Sequence, residues 1–283
     1  MPNAPGPMTP TATPTTAGLY TEIFTPTAAP RGVVLITHGY AEHCGRYREV
    51  AHAIVRAGWA ALSYDVRGHG KSPGERGYID RFQIYLDDLA AMHAAAQALA
   101  PGAPLVLLGH SHGSLITLRA LTGDRPPAAA AAIVSSPFLA LRLPVPGYKL
   151  LLARVASKLA PKLAQPNALR VEDLTADPGK QAERRADTLC FDIATSRWFT
   201  EATAAQAHVL AHASRVAIPT TWLVGGADPI TDPARSRQVA DLVRGATYHD
   251  LAGMKHEVFN EVERARVLDL MTAALDRAAP PPR

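Results

Sequence analysis

The run LVLLGHSHGSLITLRAL (Leu105 to Leu121) decides the fold. Its first four residues, Leu105 to Leu108, are apolar with no polar alternation, the pattern of a strand buried on both faces, and Ser114 to Leu121 carries the spacing of a helix. Between them lies Gly109-His110-Ser111-His112-Gly113, a G-x-S-x-G sequence at a strand-to-helix turn. A turn that sharp needs small residues beside a serine whose hydroxyl must stay exposed, so Ser111 is the candidate nucleophile and Gly109 and Gly113 are its clearance.

Outward from this turn, short apolar runs alternate with helical stretches. Gly32–Thr37, Ala60–Tyr64, Ala131–Ser135 and Thr220–Val224 read as further buried strands, and Ala246–Asp250 as a weaker last one. Helices are expected at about Tyr47–Ala57, Phe82–Leu99, Pro233–Val243 and Asn260–Ala278. The alternation predicts an α/β fold with a mostly parallel sheet covered on both faces. Only the interval 137–216 breaks the rhythm, being far longer than an ordinary crossover. An inserted helical cap is expected there, dividing a core of residues 19–136 and 217–279. Pro144, Pro146, Pro161, Pro166 and Pro178 cut the cap into short helices.

A serine hydroxyl is a weak nucleophile at neutral pH and needs a base, which in turn needs a partner that fixes its tautomer. On a sheet of this kind the expected chain order is serine, acid, histidine. Asp228 follows the strand Thr220–Val224 in GGADPITDP, and His256 follows the last strand in AGMKHEVFNE. Asp232 is better placed to cap the helix that starts at Pro233, and His249 falls within the last strand, short of the loop. Main-chain N–H groups of Tyr40 and His112 are the expected donors to a tetrahedral oxyanion. Singly, each assignment has a plain alternative: Asp228 before Pro229 suits a turn, His256 a surface loop, and His38-Gly39-Tyr40 a tight turn.

The composition removes other classes. Hydrophobic residues are 47% and charged residues 19% of 283, which is globular. The net charge of +4 is not gathered into a basic run, so no nucleic-acid partner is expected. Cys44 and Cys190, far apart and outside any CxxC, indicate neither a disulfide framework nor a zinc knuckle. Met1 to Gly18 has neither a basic start nor an apolar run of an export signal, and no stretch suits a spanning helix, so cytoplasmic residence is expected. Much of the excess in 24 prolines falls in residues 1–18 and 280–283, read as disordered tails.

The strings HGYAEHCGRY (His38 to Tyr47), DVRGHGKS (Asp65 to Ser72), GHSHG, GGADPITDP and KHEVFNE, in this order, resemble the monoacylglycerol lipase and lysophospholipase group of α/β-hydrolases. The similarity runs from about residue 20 to residue 275, and TSRWFTE (Thr195 to Glu201) resembles a recurring cap segment of that group. The resemblance implies the α/β-hydrolase fold with a cap between the sixth and seventh strands. It also implies a cofactor-free, metal-free serine hydrolase acting on small lipid esters, with Ser111 as nucleophile, Asp228 as acid, His256 as base, and Tyr40 and His112 as oxyanion donors. Monoacylglycerols are the expected substrates, and lysophospholipids or short-chain esters the alternatives. Members commonly read GHSMGG; here His112 replaces the methionine and Ser114 the last glycine, which bears on substrate range more than on reaction type.

Four further readings bear on function. Eleven histidines, with His38, His43, His69, His110 and His112 near the strand ends, invite a metallohydrolase reading, but an H-x-H-x-D-H cluster is missing. A binding protein that lost catalysis would lack a triad member, and a dehalogenase would need a carboxylate where Ser111 stands. Finally, Pro146–Leu163 places Leu151, Val155 and Leu159 on one helical stripe beside Arg154 and Lys158. Such a face suits peripheral contact with a membrane or micelle surface, and equally suits a helix packed on the core.

Overall fold

A computed structural model describes residues 11–12, 18–143 and 146–279. The strands are β1 (Thr11–Ala12), β2 (Thr21–Phe24), β3 (Val33–Thr37), β4 (Ala60–Tyr64), β5 (Leu105–His110), β6 (Ala131–Ser135), β7 (Ala164–Pro166), β8 (Ile193–Thr195), β9 (Thr220–Gly225) and β10 (Ala246–Leu251). The helices are α1 (Arg48–Arg56), α2 (Gln83–Leu99), α3 (His112–Leu121), α4 (Gly147–Leu159), α5 (Val171–Leu174), α6 (Pro178–Ala186), α7 (Ser196–His212), α8 (Pro233–Leu242) and α9 (Arg264–Ala278).

Eight strands form the main sheet in the order β1-β2-β4-β3-β5-β6-β9-β10. From β4 to β10 every pairing is parallel, while β2 joins β4 antiparallel and β1 pairs with β2. Alternate residues feed opposite faces. Val33, Leu35, Leu105, Leu107 and Trp222 pack under α2, α3, α7 and α8, and Val34, Ile36, Val106, Leu108 and Leu223 pack under α1 and α9. Two apolar layers therefore clamp the sheet, which is why its central strands read as unbroken hydrophobic runs.

Several boundaries differ from the sequence expectation. Strand β2 was not anticipated, because TEIF is short and half polar. Thr11–Ala12 pairs with Glu22 and Ile23 although it lies within the expected N-terminal tail. The rest of that tail up to residue 17, and residues 280–283, lie outside the described residues. Helix α3 begins at His112 rather than Ser114, directly at the turn. A 3-10 turn at Val258–Asn260 delays α9 to Arg264.

Between β6 and β9 the chain makes α4 to α7 and a small two-stranded antiparallel sheet, β7 with β8, so this interval is not purely helical. Helix α4 ends at Leu159, two residues before Pro161, as the clash of a proline ring with the preceding turn requires. It lies along α7, where Ser157 Oγ meets Thr200 Oγ1 at 2.8 Å. Its sidedness is inverted. Ser157 is its buried residue, whereas Leu151 is 62% and Leu159 82% exposed, with Leu152 and Val155 also exposed. The stripe of Leu151, Val155 and Leu159 is thus not packed on the core.

Candidate active site

Ser111 sits between β5 and α3 with φ 50° and ψ −112°, a left-handed conformation that L-residues rarely adopt. The sequence makes that bend by removing side chains around it. A Cβ on Gly109 would lie 2.7 Å from the Gly113 carbonyl group, and one on Gly113 would collide with the Thr37 carbonyl oxygen at the end of β3. Ser114 contributes as well: its Oγ donates to the Gly109 carbonyl at 2.7 Å and accepts from Ser135 N at 3.1 Å, fastening the turn to β6. The substitution of serine for glycine here is therefore an added clasp.

Asp228 and His256 are brought together by the loops after β9 and β10. His256 Nδ1 lies 2.7 Å from Asp228 Oδ2, and both residues are buried. Gly225 permits the approach, since a Cβ there would collide with the Lys255 carbonyl oxygen. Asp228 is held by Thr231 Oγ1 at 2.6 Å and by the amides of Ile230 and Thr231 at 2.8 and 3.0 Å. Burial would raise the Asp228 carboxyl pKa, but the neighbouring imidazole and these donors hold it below the ordinary value. Burial would likewise lower His256, yet the Asp228 charge and hydrogen bond lift it above the ordinary histidine value. Asp232 caps α8 through Ala234 N at 3.0 Å, and His249 lies in β10 facing the charges of Arg277 and Arg266. Neither competes for these positions.

Ser111 and His256 line one cavity of about 950 Å³, without a hydrogen bond between them. Gly39, Tyr40 and Glu42 edge it on one side, and Leu143, Tyr148, Leu152 and Val155 carry its apolar wall outward along α4. The amides of Tyr40 and His112 make no hydrogen bond to other described residues, which leaves both free as donors. The His112 side chain faces the other way, fully buried among Tyr40, His69, Phe82, Tyr85 and Trp198. Burial pushes its pKa down to about 3, and neither ring nitrogen has a partner. It acts there as a neutral ring in an aromatic nest. His110 is also pushed down to about 3 by burial and by His256, against which it packs.

The remaining histidines of the strand-end loops are separately engaged. His38 Nε2 accepts from Val66 N at 2.8 Å, and His69 Nδ1 meets the Arg67 carbonyl at 3.0 Å. His43, Asp187 and Cys190 bring one potential metal-binding atom each within 4.8 Å of one another, but His43 Nε2 and Asp187 Oδ2 are already hydrogen-bonded at 2.6 Å.

Sequence reasoning missed the struts around these groups. Glu42 Oε1 accepts from Gly39 N at 2.6 Å and from Tyr47 Oη at 2.8 Å, while buried Arg46 pairs with both Glu42 and Glu257. Arg46 thereby ties the Tyr40 loop to the His256 loop. Within DVRGHGKS, Asp65 accepts from Cys44 N at 2.8 Å and Lys71 N at 2.6 Å, a purely structural brace. The pairing of Arg46 with Glu42 is a local i,i+4 contact, but the one with Glu257 spans 211 positions and leaves no local pattern to find.

The family described as "Serine aminopeptidase, S33" (Hydrolase_4) matches residues 28–263. The chain belongs to that family. Among relatives of this S33 hydrolase, "Monoacylglycerol lipase" of Mycolicibacterium smegmatis is 31% identical over 255 residues, covering 89% of this chain and 90% of the relative. "Phospholipase YtpA" of Bacillus subtilis is 29% identical over 255 residues, covering 88% and 96%. Among solved structures, the monoacylglycerol lipase of Paleococcus ferrophilus superimposes with a TM-score of 0.84 at 28% identity, covering 92% of this chain and 99% of that one. The S33 hydrolase has the α/β-hydrolase fold, and its interval from β6 to β9 occupies the place where the resemblance located a cap.

Proposed function

We propose that this chain hydrolyses carboxylic esters of single-chain lipids, monoacylglycerols foremost, through an acyl-enzyme on Ser111. The observation that carries this reading is the cavity of about 950 Å³ with Ser111 and His256 at one end and a mainly apolar wall, including Leu141, Leu143, Leu152, Val155 and Phe199, along much of the rest. In the first step Ser111 Oγ attacks the ester carbonyl as His256 Nε2 takes its proton, and Asp228 holds the imidazole by Nδ1 and stabilises the imidazolium. The Tyr40 and His112 amides donate to the oxyanion. Collapse of the intermediate expels glycerol, protonated by His256, and water repeats the sequence to free the fatty acid. The names of the Mycolicibacterium and Paleococcus relatives support monoacylglycerols, and that of the Bacillus relative supports phospholipids as the second substrate class, of which the single-chain lysophospholipids fit this reading. An amine-recognising peptidase is disfavoured because Glu42 and Glu257, the carboxylates at the polar end, are both paired with Arg46.

The exposed residues Tyr148, Leu151, Leu152, Val155 and Leu159, bordered by Arg154 and Lys158, support docking of α4 on a lipid surface. Several of them also line the cavity, so a lipid leaving that surface meets its apolar wall first.

The test is a substrate panel of monoacylglycerols, lysophosphatidylcholines and p-nitrophenyl esters, with Ser111→Ala as control. Long monoacylglycerols should be cleaved fastest, and Ser111→Ala should lose at least about 10⁴-fold in kcat. Rates falling steadily from acetate upward, or an active Ser111→Ala, would overturn the proposal.

A further inference from the structure

The two oxyanion donors are supported unequally. The His112 amide is the first of α3 and is fixed by that helix, whereas the Tyr40 amide belongs to the loop between β3 and α1. From the core, this loop is held by Glu42 on Gly39 N. From the other side it is held by the segment between β6 and β9. Ala41 adopts a left-handed φ of 61°, and its carbonyl receives Arg184 Nη2 at 2.9 Å and Phe191 N at 3.3 Å. His43 Nε2 meets Asp187 Oδ2 at 2.6 Å. The Tyr40 hydroxyl donates to the Ile193 carbonyl at 2.8 Å, and its ring stacks on Trp198 with centroids 3.8 Å apart.

Arg184 stands out in this set. It lines the cavity, yet no ion pair engages it among the described residues and its Nε has no partner. Its directed bond goes to the one carbonyl of the loop that follows a strained φ. A non-glycine residue in that conformation stays there only while its surroundings hold it, and Ala41 would relax if those donors left.

We infer that Arg184 and Asp187 are positioning residues that set the Tyr40 amide by clamping Ala41 and His43 from the cap side. The inference rests on the reading of Tyr40 as an oxyanion donor. The cap then does more than admit substrate: when it is seated, the electrostatic half of the site is assembled, and when it lifts, one donor of the pair drifts. Chemistry on a small soluble ester, which needs no long acyl channel, becomes sensitive to residues that never touch it.

The experiment uses p-nitrophenyl butyrate and a fluorophosphonate that labels the nucleophile. Arg184→Met should lower kcat about tenfold with KM within about twofold, since misplacing a catalytic group by about 1 Å can cost up to 10²-fold. Phosphonylation of Ser111 should slow in proportion, because it develops the same oxyanion. Arg184→Lys, which keeps one donor, should recover part of the loss, and Asp187→Asn should show a smaller loss of about threefold, all with melting temperatures within a few degrees of wild type. Wild-type kcat and labelling rate in folded Arg184→Met and Asp187→Asn would overturn the inference. So would a change confined to KM for long monoacylglycerols, which would make Arg184 a wall of the cavity. If wild-type protein neither hydrolyses esters nor labels at Ser111, the hydrolase reading itself falls, an outcome separate from a normal rate in the variants.

Discussion

The sheet and α4 use apolar residues in opposite directions. In β3, β4, β5, β6 and β9 every side chain is buried, and the two layers of the core close over them. In α4 Leu151, Leu152 and Leu159 are exposed whereas Ser157 is buried. Complete burial is worth about 1.5 to 3 kcal/mol per leucine or valine, so α4 forgoes a stabilisation that the sheet realises in full. The contrast teaches that the sheet uses its apolar surface to build the core, whereas α4 leaves its own uncovered, which is the surface the proposed function gives to a lipid.

The sharpest way to probe the core side is Asp228→Asn. It should cut kcat by about 10⁴-fold on every ester in the panel, because the amide favours the wrong imidazole tautomer. The pH profile adds a sign. His256 must be neutral to accept a proton, and Asp228 raises its pKa, so the acid limb of wild-type kcat/KM should lie above the ordinary histidine value of 6.5. In Asp228→Asn that limb should move to lower pH; an unmoved limb in the residual activity would break the assignment.

The cap side should respond selectively. Leu151→Asp combined with Leu159→Asp should leave p-nitrophenyl butyrate hydrolysis within about twofold but reduce co-sedimentation with phosphatidylglycerol-containing vesicles by roughly tenfold or more, the loss of two partly inserted leucines. Unchanged partitioning would remove the distinction drawn between α4 and the sheet.

A smaller effect is expected at the boundary of the two regions. His112 is neutral in the fold, pushed down to about 3, so the unfolded chain takes up a proton there that the native chain refuses. Its contribution is fully present above pH 6.5 and is lost as pH falls towards 3, at about 1.4 kcal/mol per pH unit. His112→Met should lessen the acid-side fall of the melting temperature. At neutral pH it should raise that temperature by about 2 to 4 °C, since two unpartnered buried nitrogens disappear. A lower melting temperature at pH 7 would show that the aromatic nest depends on the imidazole.

What was legible in the sequence follows the same division. Strands buried on both faces are continuous apolar runs, and the glycines around Ser111 and at Gly225 mark backbone approaches that no side chain could enter, so the core could be read directly; the proposed triad Ser111, Asp228 and His256 was chosen from type, order and spacing, and the fold hydrogen-bonds the last two. Strand β2 escaped because an antiparallel segment of four residues has little periodicity. The β7–β8 pair escaped because its three-residue strands are far apart in the chain and are stabilised by tertiary contacts such as Tyr40 to Ile193. The bonds of Arg46 to Glu257 and of Arg184 to Ala41 were invisible for a different reason: those partners lie far along the chain, and an arginine looks the same in sequence whether it meets water, a carboxylate or a carbonyl.

The bend at Ser111 also has a consequence for durability. A residue with φ 50° and a tethered backbone carries a conformational cost of order 1–3 kcal/mol, one that glycine would largely avoid. A chain shaped for endurance alone would place glycine at this position and lose its hydroxyl. The protein therefore carries, at the centre of its most rigid element, a local instability that is inseparable from its chemistry.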